Sequence, residues 1–468
     1  MTAGKRGVKE DLAVALARYV ANIGYEDIPH EAKEATKKSI MDTFGVIVAA
    51  TGGSIPECRD FVELIKEASG KQESTILQFD IKVPAWLAAF ANSGMAHAID
   101  YDDMYSKEVV HPSCMVVPAA FAVAERIGRV NGKDLITAVT LGIDIACRMG
   151  LTINWEHDWH LTPLFGRFAC AATSGKILGL GEDGLVSAFG NALNEAPGTL
   201  QVNRDPEASI RAFEFGFAAR GGVFSALLAE KGIKGPRDSL EGEASFYPVY
   251  FKGQKYDRDA MLNELGTRFE GINVGFKPWP SCSLTHSYIG ATIKAVEKHN
   301  ISPQDIEQIT VFVNDVSQML FEPLKLRRKP PSPMGAKYSL PFTIAVAALR
   351  KKVVIADYNP GGLKDPQVLA LAQKVVPKFD KSVKMVGGVT QGIVEISTKD
   401  GKSYLSRENI AYGRPENPMS SKDLIEKFKD CVRHGTKPLS QENAQRVIEM
   451  FLRLEEVDDV TEIIPLLG

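Results

Sequence analysis

Three carboxylates stand within four residues in the segment His97-Ala98-Ile99-Asp100-Tyr101-Asp102-Asp103, and His111-Pro112-Ser113 follows shortly after. The acids close a small-residue apolar run from Pro84 to Ile99, which reads as a buried helix with Pro84 in its first turn. They therefore sit at or beyond a helix C-terminus, where the helix dipole disfavours carboxylates by roughly a few tenths of a kcal/mol each. A purely structural helix end would carry Gly, Lys or Arg. Packing gives no reason for the cluster, which reads as a site, with a solvated acidic turn as the plain alternative. His111 precedes a proline and is kept off the helical region. It is either a surface loop residue or a general acid/base beside the acids.

Four further segments place polar chemistry unusually. In Gly275-Phe-Lys277-Pro-Trp-Pro-Ser281-Cys-Ser283-Leu-Thr285-His286, two prolines hold Lys277 in an extended loop, and hydroxyls cluster where a helix begins. Free N–H groups and hydroxyls at a helix start make an anion site, and Lys277 would complete a carboxylate or phosphate clamp. A capped helix behind a rigid linker would look the same. Trp159-His160-Leu-Thr-Pro163 precedes a Gly/Ala-rich helix, and His160 is a second acid/base candidate. Ser209-Ile-Arg211-Ala-Phe-Glu214 leads into Ala218-Ala-Arg220-Gly-Gly222. Arg327-Arg-Lys329 reads as a solvated basic loop, of interest only for its nearness in sequence to Tyr338.

These residues need elements to hold them. The chain has 468 residues, 44% of them hydrophobic and 24% charged, which is globular composition and too long for one ordinary core. A net charge of −3 leaves no electrostatic footprint for nucleic acid. No apolar run could span a membrane, and the first residues lack a secretory apolar core, so a cytoplasmic protein is expected. The six cysteines are scattered, with no C-x-x-C pair. Among the eight histidines only His157 and His160 are close, and no ligand set completes them, so no metal is expected.

Apolar residues recur at three-and-four spacing over Val8–Gly24, His30–Ala50, Pro56–Ser69, Pro84–Ile99, Val117–Gly128, Lys133–Met149, Ala169–Leu180, Gly184–Leu193 and Gly216–Lys231. Short glycine turns separate them, so an antiparallel bundle is expected. Near residue 271 the character changes. Ile309–Val313 and Gly392–Thr398 are β-branched runs, and the latter passes through Asp400-Gly401 into Ser403–Glu408, a hairpin signal. Helices are expected at Ser283–His299, Ser339–Leu349 and Pro366–Val375, then at Ser420–His434 and Ser440–Leu454. The fold class read from this is mainly α. A large all-helical domain would be formed by residues 1–271 and 413–468, with a smaller α+β lid inserted at 272–412.

The segments MAHAIDYDDM…HPSCMVVPA, DWHLTPLFGRFACAATSGKILGL, GFKPWPSCSLTH and AKYSLPF, in this order, resemble the MmgE/PrpD family. That family includes 2-methylcitrate dehydratases, cis-aconitate decarboxylases and an iminodisuccinate epimerase. The resemblance implies a cleft between a helical domain and a lid, homodimers, and neither metal nor cofactor. By position it makes Asp100, His111, His160 and Lys277 active-site residues, and beside them Arg211, Ser281, Ser283, Tyr338 and Met104 are expected to bind substrate. The chain departs from the family pattern at Met104, where threonine is common. It departs again at Arg211 and Glu214, where many members carry lysine and histidine, and the span from Asp100 to His111 is about one residue longer than in the decarboxylases.

The family reactions share one step, the making or quenching of negative charge on the carbon beside a carboxylate. Such chemistry needs cationic clamps and two acid/base groups. Lys277 and Arg211 are the expected clamps, and His111 and His160 the acid/base pair. Asp100 is expected to orient a histidine, while Asp102 and Asp103 bond backbone. Dehydration of a 2-methylcitrate-like hydroxy acid is the expected reaction, with decarboxylation or epimerisation as alternatives. Outside the family, Asp100-Tyr-Asp-Asp103 also matches the acid motif of an isoprenoid cyclase, and a non-catalytic helical scaffold is a further reading.

Overall fold

Helix dominates the first half of the chain because small apolar residues recur there at helical spacing. The computed structural model describes residues 10–53, 55–68, 70–153, 159–195, 198–204, 208–386 and 389–468. Val8, Ser69 and His157, named above, fall outside them. The helices are α1 (Leu12–Asn22), α2 (His30–Ala50), α3 (Glu57–Glu67), α4 (Ala85–Ala98), α5 (Ser113–Ile127), α6 (Gly132–Leu151), α7 (Leu161–Ile177), α8 (Glu182–Ala192) and α9 (Glu214–Glu230), packed on one apolar core. Asp11 caps α1 by accepting from the Ala13 amide at 2.8 Å.

Two helices start earlier than apolar spacing predicts. α5 begins at Ser113 rather than near Val117, and α7 at Leu161 rather than near Ala169. Polar residues in both first turns, with Pro112 before α5 and Pro163 within the first turn of α7, hide the period. The shift matters, because it places His160 directly before α7 and His111 two residues before α5. Where α7 meets α9, a Cβ on Gly222 would stand 2.4 Å from the Cys170 Cβ and 2.6 Å from the Arg167 carbonyl oxygen. Glycine there lets the two backbones touch.

The expected all-helical large domain is overturned by two small sheets. β1 (Ser74–Ile76) pairs antiparallel with β2 (Ile81–Val83), Ser74 opposite Val83. β3 (Met104–Tyr105) pairs antiparallel with β4 (Val274–Gly275), Met104 opposite Gly275. Strands of two or three residues are too short to display a period of two, and β3–β4 joins segments far apart in sequence. A separate inserted lid is not shown either. β4 and the loop after it, assigned from sequence to that lid, are stitched through β3 to the connection between α4 and α5.

Beyond β4 come α10 (Ser283–Lys298), β5 (Ile306–Val313), α11 (Leu340–Arg350), α12 (Pro366–Ala372), β6 (Val375–Phe379), β7 (Gly392–Thr398) and β8 (Ser403–Glu408). The sheet order is β8-β7-β5-β6, with β5 and β6 parallel and the other pairs antiparallel. The Asp400-Gly401 turn sets Ser403 opposite Ser397. A second core, including Ile309, Val311, Phe342, Val346 and Ile396, lies between this sheet and its helices. The last helices, α13 (Ser421–Arg433) and α14 (Gln441–Leu452), belong to the first core. Phe451 of α14 stacks on Phe44 of α2 at 5.5 Å and meets Phe428 of α13 edge-on at 6.1 Å. Among the described residues no helix is long and apolar enough to cross a membrane.

Gly222→Ala forces a methyl into backbone, and overpacking of this kind costs about 1–3 kcal/mol. Chemical denaturation of the variant should show a loss of that size, whereas an unchanged midpoint would place the α7–α9 contact elsewhere.

Candidate active site

α4 ends at Ala98, and two residues later Asp100 takes a left-handed conformation with φ 54°. That position after a helix usually belongs to glycine, and a residue bearing a Cβ is strained there by about 1–2 kcal/mol. The strain turns the chain so that Asp100, Asp102 and Asp103 face inward, each at most 4% exposed. Two lysines hold this acid loop from opposite ends of the sequence. Lys277, in the loop after β4, ion-pairs with the Asp100 carboxylate, donates to the Asp100 carbonyl at 3.2 Å and lies 3.7 Å from Asp102. Lys427 of α13 donates to the Tyr101 carbonyl at 2.8 Å and pairs with Asp42 of α2 at 2.6 Å.

Burial acts to raise the Asp100 carboxyl, but Lys277, His97 and Arg211 outweigh it and hold the group well below the usual carboxylate range. Burial likewise opposes ionisation of Asp102, and His97, His111 and Lys277 overcome it. At Asp103 the opposing charge of His111 is outweighed. Burial pushes the carboxyl up to about 7 against the hydrogen bond from Ser113.

Asp102, rather than Asp100, is the carboxylate that meets the imidazoles. His97 Nδ1 lies 3.1 and 3.0 Å from its two oxygens, and His111 Nδ1 lies 3.2 Å from Oδ2. His111 Nδ1 is also 2.6 Å from the Asp103 carbonyl oxygen, which can only accept, so this nitrogen carries the proton. His160, the residue before α7, places Nδ1 3.0 Å from Oε1 of Glu214, the first residue of α9. Burial lowers the His160 imidazole and Glu214 opposes it, leaving it below its ordinary value. The Phe215 ring lies among the three imidazoles, at centroid distances of 4.0 Å from His97, 5.9 Å from His111 and 5.1 Å from His160. His111 Nδ1 is turned to a hydrogen-bond acceptor, whereas His160 Nδ1 and Glu214 Oε1 are in ion-pair contact without hydrogen-bond alignment, and among the described residues neither of these two atoms has another partner.

Arg211, from the short helical turn Ser209–Ala212, donates to the Tyr338 hydroxyl and lies over its ring, 4.1 Å from the centroid. Among the described residues its buried Nε has no hydrogen-bond partner. The guanidinium, the Tyr338 phenol and the Asp100–Lys277 pair act on one another electrostatically. The remaining candidates stand somewhat apart. The Ser281 hydroxyl pairs with Thr285 at 2.8 Å. Met104 and Ser283 border a cavity of about 20 Å³ shared with Lys277 and His286, and Met104 packs against Val389 and Ala411. Among the described residues, neither Met104 nor Ser283 hydrogen-bonds to the Arg211–Tyr338 pair. The Arg327–Lys329 run is partly helical, and Arg328 donates to the Val375 carbonyl at 2.7 Å.

Sequence reasoning assigned no role to His97, Phe215 or Lys337. Lys337 is wholly buried, donates to the Pro280 carbonyl at 3.1 Å and lies 4.3 Å from the Tyr358 ring centroid. Burial lowers its ammonium to about 7. His97 and Asp102 are five residues apart across a helix end, a spacing that marks neither helix nor strand. Among the described residues no group of three or more His, Cys, Asp or Glu side chains is arranged to hold a metal ion. All six cysteines are buried and unbridged.

Helix-rich architecture enclosing a buried lysine–carboxylate–imidazole constellation defines the class of protein, and comparison gives the family. Residues 14–259 match the MmgE/PrpD N-terminal domain and residues 279–456 the MmgE/PrpD C-terminal domain, so the chain belongs to the MmgE/PrpD family. It is similar to cis-aconitate decarboxylase of Aspergillus terreus, at 24% identity over 98% of this chain and 96% of that one. Cis-aconitate decarboxylase of Homo sapiens is 26% identical over 93% and 90%. 2-Methylcitrate dehydratase of Salmonella typhi is 23% identical over 95% and 94%.

Asp103 supplies a pH test. A carboxyl raised from an ordinary value near 3.9 to about 7 binds a proton on folding between those pH values, so stability falls as pH rises through that window. Asp103→Asn should remove on the order of 2–4 kcal/mol of that slope, read by denaturation at pH 5 and pH 8. An unaltered slope would mean that Asp103 is ionised in the folded protein.

Proposed function

We propose that the chain is a lyase that acts on a small di- or tricarboxylic acid by acid–base catalysis, with dehydration of a 2-methylcitrate-like hydroxy acid as its reaction. The observation that carries this reading is the pair of carboxylate-backed imidazoles, His111 on Asp102 and His160 on Glu214, around Phe215 and close to the Arg211–Tyr338 pair. Arg211 suits a substrate carboxylate, because a guanidinium binds two oxygens at once. Lys277, held by Asp100, adds positive charge where the substrate carboxylate gains electron density. One imidazole Nε2 removes the proton from the carbon beside that carboxylate. The other gives a proton to the departing β-hydroxyl, so that C–H and C–O bonds break, C=C forms and water leaves.

Decarboxylation of a cis-aconitate-type acid is the second reading, favoured by the relatives in Aspergillus terreus and Homo sapiens. There a C–C bond breaks, CO2 leaves, and an imidazolium protonates the carbon that keeps the electron pair. The working unit is read as a cytoplasmic homodimer.

Proton NMR of the protein in D2O with 2-methylcitrate, citrate and cis-aconitate separates the readings. Replacement of the methyl doublet of 2-methylcitrate by an allylic methyl singlet, or a new vinyl signal from citrate, supports dehydration, and a vinyl product formed with CO2 from cis-aconitate supports decarboxylation. Turnover of none of these acids contradicts the substrate class. His111→Asn and His160→Asn should each lower kcat by about 10²–10⁴. Undiminished turnover in either variant would remove that histidine from the chemistry.

A further inference from the structure

We propose that Glu214 is a positioning residue for His160, holding its imidazole with the proton on Nδ1 and with Nε2 presented to the substrate. The proposal rests on the reading of His160 as an acid–base group and adds the residue that decides its tautomer. Glu214 opens α9, and its Oε1 lies 3.0 Å from His160 Nδ1. Both side chains are 10% exposed, so a carboxylate here is costly unless it is paired. An acid in a first helical turn could serve the helix dipole alone, but such residues do that work from the surface.

Arg211 lies three residues before Glu214, yet it turns to Tyr338, and among the described ion pairs Glu214 is joined to His160. The residue is held through its backbone and its ring face as well. The His160 amide donates to the Gly198 carbonyl at 2.6 Å, and Phe215, next to Glu214 in sequence, packs on the ring at 5.1 Å. Among the described residues the Glu214 carboxylate is therefore the group facing Nδ1, beside a fixed backbone and a packed ring face. The charged and titratable groups acting on it are Glu214 from α9, Arg211 from the turn before α9 and His97 from α4. Only Glu214 favours the protonated ring, and it opposes burial. A carboxylate on Nδ1 also makes Nε2 a stronger proton acceptor, as in other carboxylate–imidazole pairs.

The test is histidine ¹⁵N NMR of the whole chain together with the pH profile of kcat/KM, in wild type, Glu214→Gln and Glu214→Asp. In Glu214→Gln, His160 should titrate at lower pH, its Nδ1–H tautomer should lose population, and the acid limb of kcat/KM should move to lower pH. kcat should fall on the order of 10–100-fold. Glu214→Asp keeps the charge and should recover part of both signatures, which a packing role would not restore. An unchanged titration midpoint and tautomer of His160 in Glu214→Gln overturns the proposal. The NMR readout needs no turnover, so a chain inert towards every carboxylic acid would defeat the functional reading while leaving the Glu214–His160 linkage decided.

Discussion

The ion pair between Lys277 and Asp100 is the interaction on which the rest of the site depends. Taking two charges out of water costs several kcal/mol per ion, and their attraction repays this only with good geometry and further hydrogen bonds. Those supports are present. Lys277 also reaches the Asp100 carbonyl and approaches Asp102, and β3–β4 fixes the loop that carries it. The pair in turn stabilises the left-handed turn at Asp100, a conformation an isolated chain would avoid. Without Lys277, Asp100 would face Asp102 with its largest opposing charge removed.

From that constraint follows a division of labour among the acids. Asp100 is committed to the lysine, which leaves Asp102 for His97 and His111. At Asp103 burial and the neighbouring Asp42 and Asp102 outweigh His111, and the group is driven toward the neutral form. Glu214 supplies an equivalent carboxylate for His160 from another helix. Two carboxylate–imidazole pairs thus arise from different elements and meet around one aromatic ring. The contacts of α7 with α9 and of β3 with β4 bring them together, so the precision of the site is inherited from backbone packing at glycine and from a two-residue ladder.

Much of this was legible in the sequence, for identifiable reasons. Long helices such as His30–Ala50 announce themselves through many turns of apolar spacing, and Asp-Gly marks the β7–β8 hairpin. Asp100, His111, His160, Lys277, Arg211 and Tyr338 stood out because polar chemistry sat beside prolines and helix ends. What could not be read was tertiary pairing. β3 and β4 are two residues each, and nothing in either predicts the other. The choice of Asp102 over Asp100 as partner to the imidazoles depends on how a left-handed residue turns the chain. Ser283 and Met104 belong to the right segments, yet their side chains border a neighbouring small cavity, a matter of side-chain direction that sequence spacing does not encode.

A double-mutant cycle across the pair, with Asp100→Asn, Lys277→Met and the double variant, measures the central interaction most directly. Each single change leaves a buried charge uncompensated and should cost about 3–5 kcal/mol, while the double variant should cost clearly less than the sum. A coupling energy near zero, with the two losses adding, would show that Lys277 and Asp100 do not depend on each other, and the account built on them would fail.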